Sequence, residues 1–155
     1  MQQTLQLHTR RSVIRLLRED EAPLLERYRV DNREHLAPWE PLRDESHYTL
    51  DACRRVILDG AEAARTDRAW PLAALNLNED RMLASLTFAN IVRGPFQACH
   101  MGYGIDAAHA GQGLMHEALT AALGFAFGEL GMHRVMANYL PHNERSAGLL
   151  NRLGF

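Results

Sequence analysis

Residues 102–115, GYGIDAAHAGQGLM, place two close glycines, Gly111 and Gly113, directly before an apolar helical pattern that begins at Leu114. Glycines let the backbone approach a ligand, and the free N–H groups of a first helical turn favour an anion. The chemistry this suits is recognition of a phosphate or pyrophosphate. Glycines also end strands and start helices for structural reasons, so the loop alone does not decide. Two common nucleotide patterns do not fit. A P-loop requires Lys-Ser/Thr after its last glycine, where this chain has Leu114-Met115. A dinucleotide fingerprint follows the first strand, whereas this loop follows the fourth predicted strand, and His116 stands where its last glycine belongs. A second segment, Asn138 to Ser146 (NYLPHNERS), sets Asn143 where it can cap a helix that contains Ser146. The eight histidines form no HExxH and no close His/Cys cluster, and no metal is expected. His109 and His116, on either side of the glycine loop, read as surface residues.

These segments need a scaffold. The 155 residues are 46% hydrophobic and 23% charged, enough for one domain spanning 1–155 and not for two. With 17 basic and 19 acidic residues the net charge of -2 gives no general field for nucleic acid. No apolar run approaches a membrane span, and MQQTLQLHTRR lacks the order of a signal peptide. Cys53 and Cys99 have no CxxC partner and read as reduced core thiols, which fits a cytoplasmic protein.

Val13 to Leu17 reads as a strand. Asp20 is then placed to cap a helix with Pro23 in its first turn and Leu24, Leu25 and Tyr28 on its buried side. Asp31 to His47 reads as an ordered loop in which two prolines flank Trp39 and Glu40. A second helix starts near Thr49 and passes Cys53, Ile57 and Ala61. Strands are predicted at Trp70–Leu75, Met82–Ile91 and Ala98–Ile105, the last with Cys99, Met101, Tyr103 and Ile105 on one face. A helix over Leu114–Leu130 carries the stripe Met115, Leu119, Ala122, Leu123, Ala126 and Leu130. Arg134–Tyr139 is a further strand, and Ser146–Leu153 a helix capped by Gly154. The order β-α-α-β-β-β-α-β-α predicts an α/β (α+β) fold, a mixed sheet with helices on both faces.

The glycine loop and the Asn143–Ser146 segment, in this order and separated by a strand, resemble the GCN5-related N-acetyltransferase (GNAT) superfamily. PWEPLRDESH, GQGLMHEAL and HRVMANYLPHNERSAGLLNRLGF are similar to its ribosomal-protein-alanine N-acetyltransferase (RimJ/RimL-type) branch. The resemblance implies a mostly antiparallel central sheet and acetyl transfer from acetyl-CoA to an amine, usually a protein N-terminal α-amine. Its pyrophosphate loop falls on Ala110, Gly111, Gln112, Gly113, Leu114 and Met115. Ala110 replaces the family's Gln or Arg and removes a side-chain contact. Met115 replaces a Gly or Ala, as is common in this branch.

The same resemblance assigns roles. The backbone N–H of Ile105, where two strands splay, matches the oxyanion donor, and Gly102 and Gly104 suit an irregular strand end. Ser146 matches the proton donor to the leaving thiolate. Asn143 is expected to bond the pantetheine arm or to order that donor, and Gly104 and Asn138 complete the coenzyme-binding set. Glu40 is the first candidate for the general base, ahead of Asp44 and Glu45, and Trp39 is a candidate wall of the peptide site. Arg10, Arg11, Arg15, Arg18, Arg27 and Arg29 form a basic N-terminal third, read as a solvated face able to meet ribosomal RNA.

The leading expectation is a cytoplasmic acetyltransferase for the N-terminal alanine of a ribosomal protein, with ribosome contact and a homodimer as further expectations. The alternatives are acetylation of a small amine, such as a polyamine or an amino-sugar drug, and a non-catalytic acyl-CoA-binding or ribosome-assembly factor. Family members continue past the closing LGF with two more strands. The chain is therefore expected to be a shortened form, a piece of a longer protein, or a sheet completed by a partner chain.

Overall fold

The computed structural model describes residues 5–155; Met1–Thr4, the start of the segment read above for a leader, lie outside the described residues. Six strands form one sheet in chain order: β1 (Leu7–His8), β2 (Val13–Arg15), β3 (Trp70–Leu75), β4 (Met82–Val92), β5 (Ala98–Ile105) and β6 (Arg134–Ala137). Neighbours are antiparallel except β5 and β6, which run parallel. The crossover between those two holds α4 (Leu114–Phe127), as a parallel connection requires. The other helices are α1 (Ala22–Asp31), α2 (Arg33–Leu36), α3 (Leu50–Arg65) and α5 (Glu144–Arg152). Among the described residues no helix is long and apolar enough to cross a membrane.

Strand alternation sorts the sheet into two faces. Leu72, Ala74, Ala84, Leu86, Phe88, Cys99 and Met101 pack with Met115, Ala118, Leu119 and Ala122 of α4 and with Leu149 and Leu150 of α5. On the opposite face Ala73, Leu75 and Met82 pack with Leu25 and Tyr28 of α1 and with Cys53 and Ile57 of α3. Helices therefore cover both faces, as predicted. Met82 and Ala84 are two residues apart yet belong to different faces. The register explains this: Leu75 pairs with Met82 and Ala74 with Ala84, so Leu83 is the extra residue of a bulge. Cys53 and Cys99 are free and fully buried.

Several predicted elements shift. β1 was not foreseen, because a two-residue strand has no period to read. Asp20 does not cap α1; it lies in a 3-10 turn over Glu19–Glu21, and Glu21 is the residue before the helix. The Pro-flanked loop contains α2 and 3-10 turns at Ala37–Trp39 and Glu45–Tyr48. Thr49 caps α3 through a bond from the Ala52 N–H. α4 stops at Phe127 and β6 at Ala137, each short of its predicted end. Leu153, not Gly154, is the cap of α5, and Gly154 takes the left-handed position after it (φ +94°).

The basic N-terminal third is not one solvated face. Arg15 is 4% exposed and forms a two-pronged bond with Glu21, itself 8% exposed, at 2.7 and 2.8 Å. Its Nε donates to Glu79 at 2.9 Å. Burial pushes the Glu21 carboxyl up, but bonds from Arg15 and the Arg18 N–H outweigh this and hold it below the ordinary range. A carboxyl with a lowered folded-state pKa adds stability above its unfolded value and loses it as pH falls through the folded value. Glu21→Gln should therefore cost about 3 kcal/mol in urea unfolding at pH 7, by leaving Arg15 short of its buried partner. The gap from wild type should close as pH drops below the ordinary Glu range.

Candidate active site

β5 and β6 pair from Ala98↔Arg134 to Met101↔Ala137 and then part. Gly102 to Ile105 continue in β5, paired with β4 alone among the described strands. Asp106 N–H donates to Leu83 O at 2.8 Å, toward β4. Amides alternate along a strand, so the Ile105 and Tyr103 N–H groups point to the edge that β6 has left. The structure opens between two parallel strands with backbone donors on its wall. Asn138, exposed, is the first residue past β6 on the other side.

The glycine loop follows β5 directly. Gly111 (φ +76°) and Gly113 (φ +77°) are both left-handed, a conformation costly for other residues. A Cβ on Gly111 would meet nothing within 4 Å, so its backbone faces open space. Gly113 precedes α4 without a side-chain cap, and the first bond into the helix is Glu117 N–H to Gly113 O. The earlier amides of the turn have no intrahelical partner. Leu114 and Met115 are 2% and 7% exposed, so they can offer a ligand only their backbone. This cradle fits a phosphate-bearing ligand.

Two contacts distant in sequence hold the loop. Arg11, in the β1–β2 turn, donates to Gln112 O at 3.0 Å and pairs with Glu117 of α4 at 3.3 Å. Beneath the loop, Asn32 (1% exposed) donates to Asp106 at 2.8 Å and accepts from the Ala107 N–H at 2.8 Å. The other Asp106 oxygen takes His109 Nδ1 at 2.7 Å and Arg81 at 3.1 Å. Burial pushes the Asp106 carboxyl up, but bonds from Asn32 and His109 and the Arg81 charge bring it below the ordinary range. His109 is therefore half-buried and hydrogen-bonded to a buried carboxylate, where a surface residue was expected.

On the α5 side, Asn143 is the N-cap, accepting from the Ser146 N–H at 3.2 Å. The Ser146 hydroxyl meets the Tyr103 hydroxyl at 2.5 Å. Burial raises the Tyr103 pKa, and Ser146 only partly opposes this, so the pair keeps its protons at neutral pH.

On the α1/α3 face lies a cavity of about 280 Å³ between α1, the Pro-flanked loop, α3 and the sheet. Glu40 lines it, together with Tyr28, Ser85, Arg29, Arg43 and His47. Gly104 brings β5 against its inner end, where a Cβ would lie 3.3 Å from the Tyr28 hydroxyl. A parted strand pair, an anion cradle and a lined cavity on one scaffold match the plan of a known family. The acetyltransferase (GNAT) domain family matches residues 11–155. The chain belongs to the GNAT acetyltransferases. It is 42% identical over 149 residues to the [Ribosomal protein uS5]-alanine N-acetyltransferase of Escherichia coli, covering 96% of this chain and 77% of that one. The ribosomal-protein-S5-alanine acetyltransferase of Vibrio fischeri superposes with a TM-score of 0.92 at 32% identity, over 97% of this chain and 82% of that one. Mycobacterium smegmatis RimJ, solved in complex with CoA-disulfide, shares the fold at a TM-score of 0.88 and 24% identity, over 98% and 74% of the chains.

Set against this GNAT frame, the predicted site residues fall in three places. Gly104 and Ile105 lie at the parting, with Asn138, Asn143 and Ser146 across from them. Ala110 to Met115 form the cradle. Glu40 lies on the cavity, while its rivals are engaged elsewhere: Asp44 accepts from the Ser46 N–H, and Glu45 binds Arg33. Trp39 does not line the cavity; it is 42% exposed and stacks with His142, ring centroids 5.2 Å apart. Three participants were missed: Tyr103, Asn32 and Asp106. Tyr103 had been placed on the correct face, which was the one local clue. Asn32 should prove structural for the loop. Asn32→Ala should cost about 2 kcal/mol and sharply speed hydrogen exchange at the Ala107 amide, followed by mass spectrometry or NMR.

Proposed function

We propose that this GNAT domain is an acetyl-CoA-dependent N-acetyltransferase for the N-terminal α-amine of a ribosomal protein that begins with alanine. The observation that carries this reading is the 42% identity to the uS5-alanine enzyme across 96% of the chain. Acetyl-CoA supplies an acetyl group already activated as a thioester. The amides of Gly111, Gln112, Gly113, Leu114 and Met115 would hold its pyrophosphate, and Ala110 adds backbone only. Gly104, Ile105, Asn138 and Asn143 would line the pantetheine path. Asn143 has committed Oδ1 to its own helix, which leaves its amide to donate.

The Ile105 N–H is the donor for negative charge on the carbonyl oxygen, fixed in place because β4 holds the strand from the other edge. Ser146, with Tyr103 behind it, gives a proton to the departing sulfur, and the second proton shed by the attacking nitrogen as the amide forms restores the serine hydroxyl through water. Glu40 receives the proton of the incoming ammonium, directly or through water. An α-amine needs little help, since its ordinary pKa is about 8.

The test combines acetyl-CoA with a peptide copying an Ala-initiated ribosomal-protein N-terminus and follows thiol release and peptide mass. Release of thiol with one acetyl group on the α-amine is expected. Turnover of polyamines or amino-sugars but not of the peptide would overturn the acceptor assignment. Coenzyme binding without any turnover would favour a non-catalytic role. Glu40→Gln should lower kcat/KM by about 100-fold, and Ser146→Ala and Tyr103→Phe should each lower kcat by about 10-fold or more.

A further inference from the structure

The arginines around the acceptor cavity are not balanced. Arg29, Arg33 and Arg43 all line it. Arg33 is neutralised by Glu45 at 2.5 and 3.1 Å and lies over the Tyr48 ring at 4.4 Å. Arg29 has no carboxylate partner among the described residues. It donates to a backbone carbonyl, His47 O, at 2.9 Å, and touches the Cys53 sulfur at 3.9 Å. Arg43 has no ion-pair or hydrogen-bond partner among the described residues. Elsewhere the more enclosed guanidinium, Arg15, has two carboxylates. A half-buried cation whose direct partners are dipoles, with Arg43 beside it as a like charge and Glu40 acting on it only through space, is an electrostatic cost that a bound anion would relieve.

We propose that Arg29 and Arg43, with His47 beside them on the lining, form an anion subsite of the acceptor cavity that takes a carboxylate side chain from the first few residues of the acceptor. This rests on the acceptor being a peptide, as proposed above. The neighbouring charges agree with the geometry. Burial, then Arg29 and Arg43, press the His47 pKa down to about 4, against a weaker pull from Asp44. His47 is therefore neutral at pH 7, and the positive field there is made by guanidinium groups. Glu40, the one carboxylate on the cavity lining, forms no ion pair with Arg29 or Arg43 among the described residues. An acceptor carboxylate on the arginines would leave Glu40 free to meet the amine. Arginine suits this role, because its planar fork can hold a carboxylate through two parallel bonds.

The experiment uses Ala-initiated peptides of equal length with Glu, Gln or Lys at one of positions two to five. Their N-acetylated counterparts are titrated by calorimetry, which reads binding without turnover, and kcat/KM is measured on the free amines. At one position Glu should bind about 5- to 10-fold more tightly than Gln, and Lys more weakly than either. Arg43 is exposed and unpartnered, so Arg43→Gln should fold; it should bring the Glu-over-Gln ratio below about two-fold. Arg43→Glu should reverse the preference toward Lys. Equal binding of Glu and Gln peptides at every position, or a ratio untouched by Arg43→Gln, would overturn the subsite. Turnover with no charge preference sinks the subsite and leaves the proposed function standing. Arg43-dependent binding of the Glu peptide with no turnover does the reverse.

Discussion

A parallel strand pair that stops pairing part-way leaves backbone donors with nothing to bond, and the rest of the site follows from this. In most sheets such an edge is closed or blunted. Here β4 grips β5 to its last residue, so the strand cannot relax toward the opening. The Tyr103 and Ile105 amides are thus held in a paired strand yet have no partner of their own among the described residues. A donor fixed in this way needs no reorganisation when charge appears in front of it, the condition under which a hydrogen bond contributes most to a reaction. The residues past the parting are Gly102 and Gly104 in alternation with Tyr103 and Ile105. The side with no Cβ faces the cavity, and the side with large groups faces α4 and α5. Gly102 thus faces open space and Gly104 lets Tyr28 and Leu36 come close, while Tyr103 and Ile105 pack on the core.

The polar cluster beneath the loop joins the two halves of the site. Asn32 sits at the end of α1, where the chain turns into the Pro-flanked segment that carries Glu40. Through Asp106 and the Ala107 amide it is tied to the start of the glycine loop. The Pro-flanked segment on the cavity and the glycine loop are therefore braced by one buried, bonded network. Such networks are stiff when every member is bonded and costly when one is lost. Arg11 and Glu117 brace the outer side of the same loop. The brace is a cation from the β1–β2 turn bonded to the Gln112 carbonyl.

What could be read from the sequence was whatever is local. The bounds of β5, the start of α4 and the cap at Asn143 each carry a signal within a few residues: alternation, a glycine pair before an apolar stripe, an amide side chain three positions ahead of its target. The family resemblance added order to these signals and so pointed to Ile105 and Ser146. The rest was hidden because its partners are far apart in the chain. Nothing around Asn32 announces a bond to Asp106, 74 positions on. Arg15 reads like its neighbouring surface arginines, and only the fold reveals that it is enclosed by Glu21 and Glu79. The imbalance at Arg29 and Arg43 is likewise a property of which carboxylates are absent from their surroundings, and no linear pattern encodes that.

The charge on the cavity also bears on which amine it suits. An α-amine of pKa about 8 is about one part in four neutral at pH 7.5, whereas a lysine-like amine of pKa about 10.4 is neutral in about one molecule per thousand. A positively charged lining lowers the pKa of either amine, because it penalises the ammonium form. For the α-amine this shift raises a neutral fraction that is already substantial, so little is asked of the base proposed at Glu40. For a polyamine the same field acts on every nitrogen, so the cations that do not react are repelled along with the one that does. On the proposed reading, Arg29 and Arg43 would favour a monoamine attached to a chain bearing negative charge over a polycation.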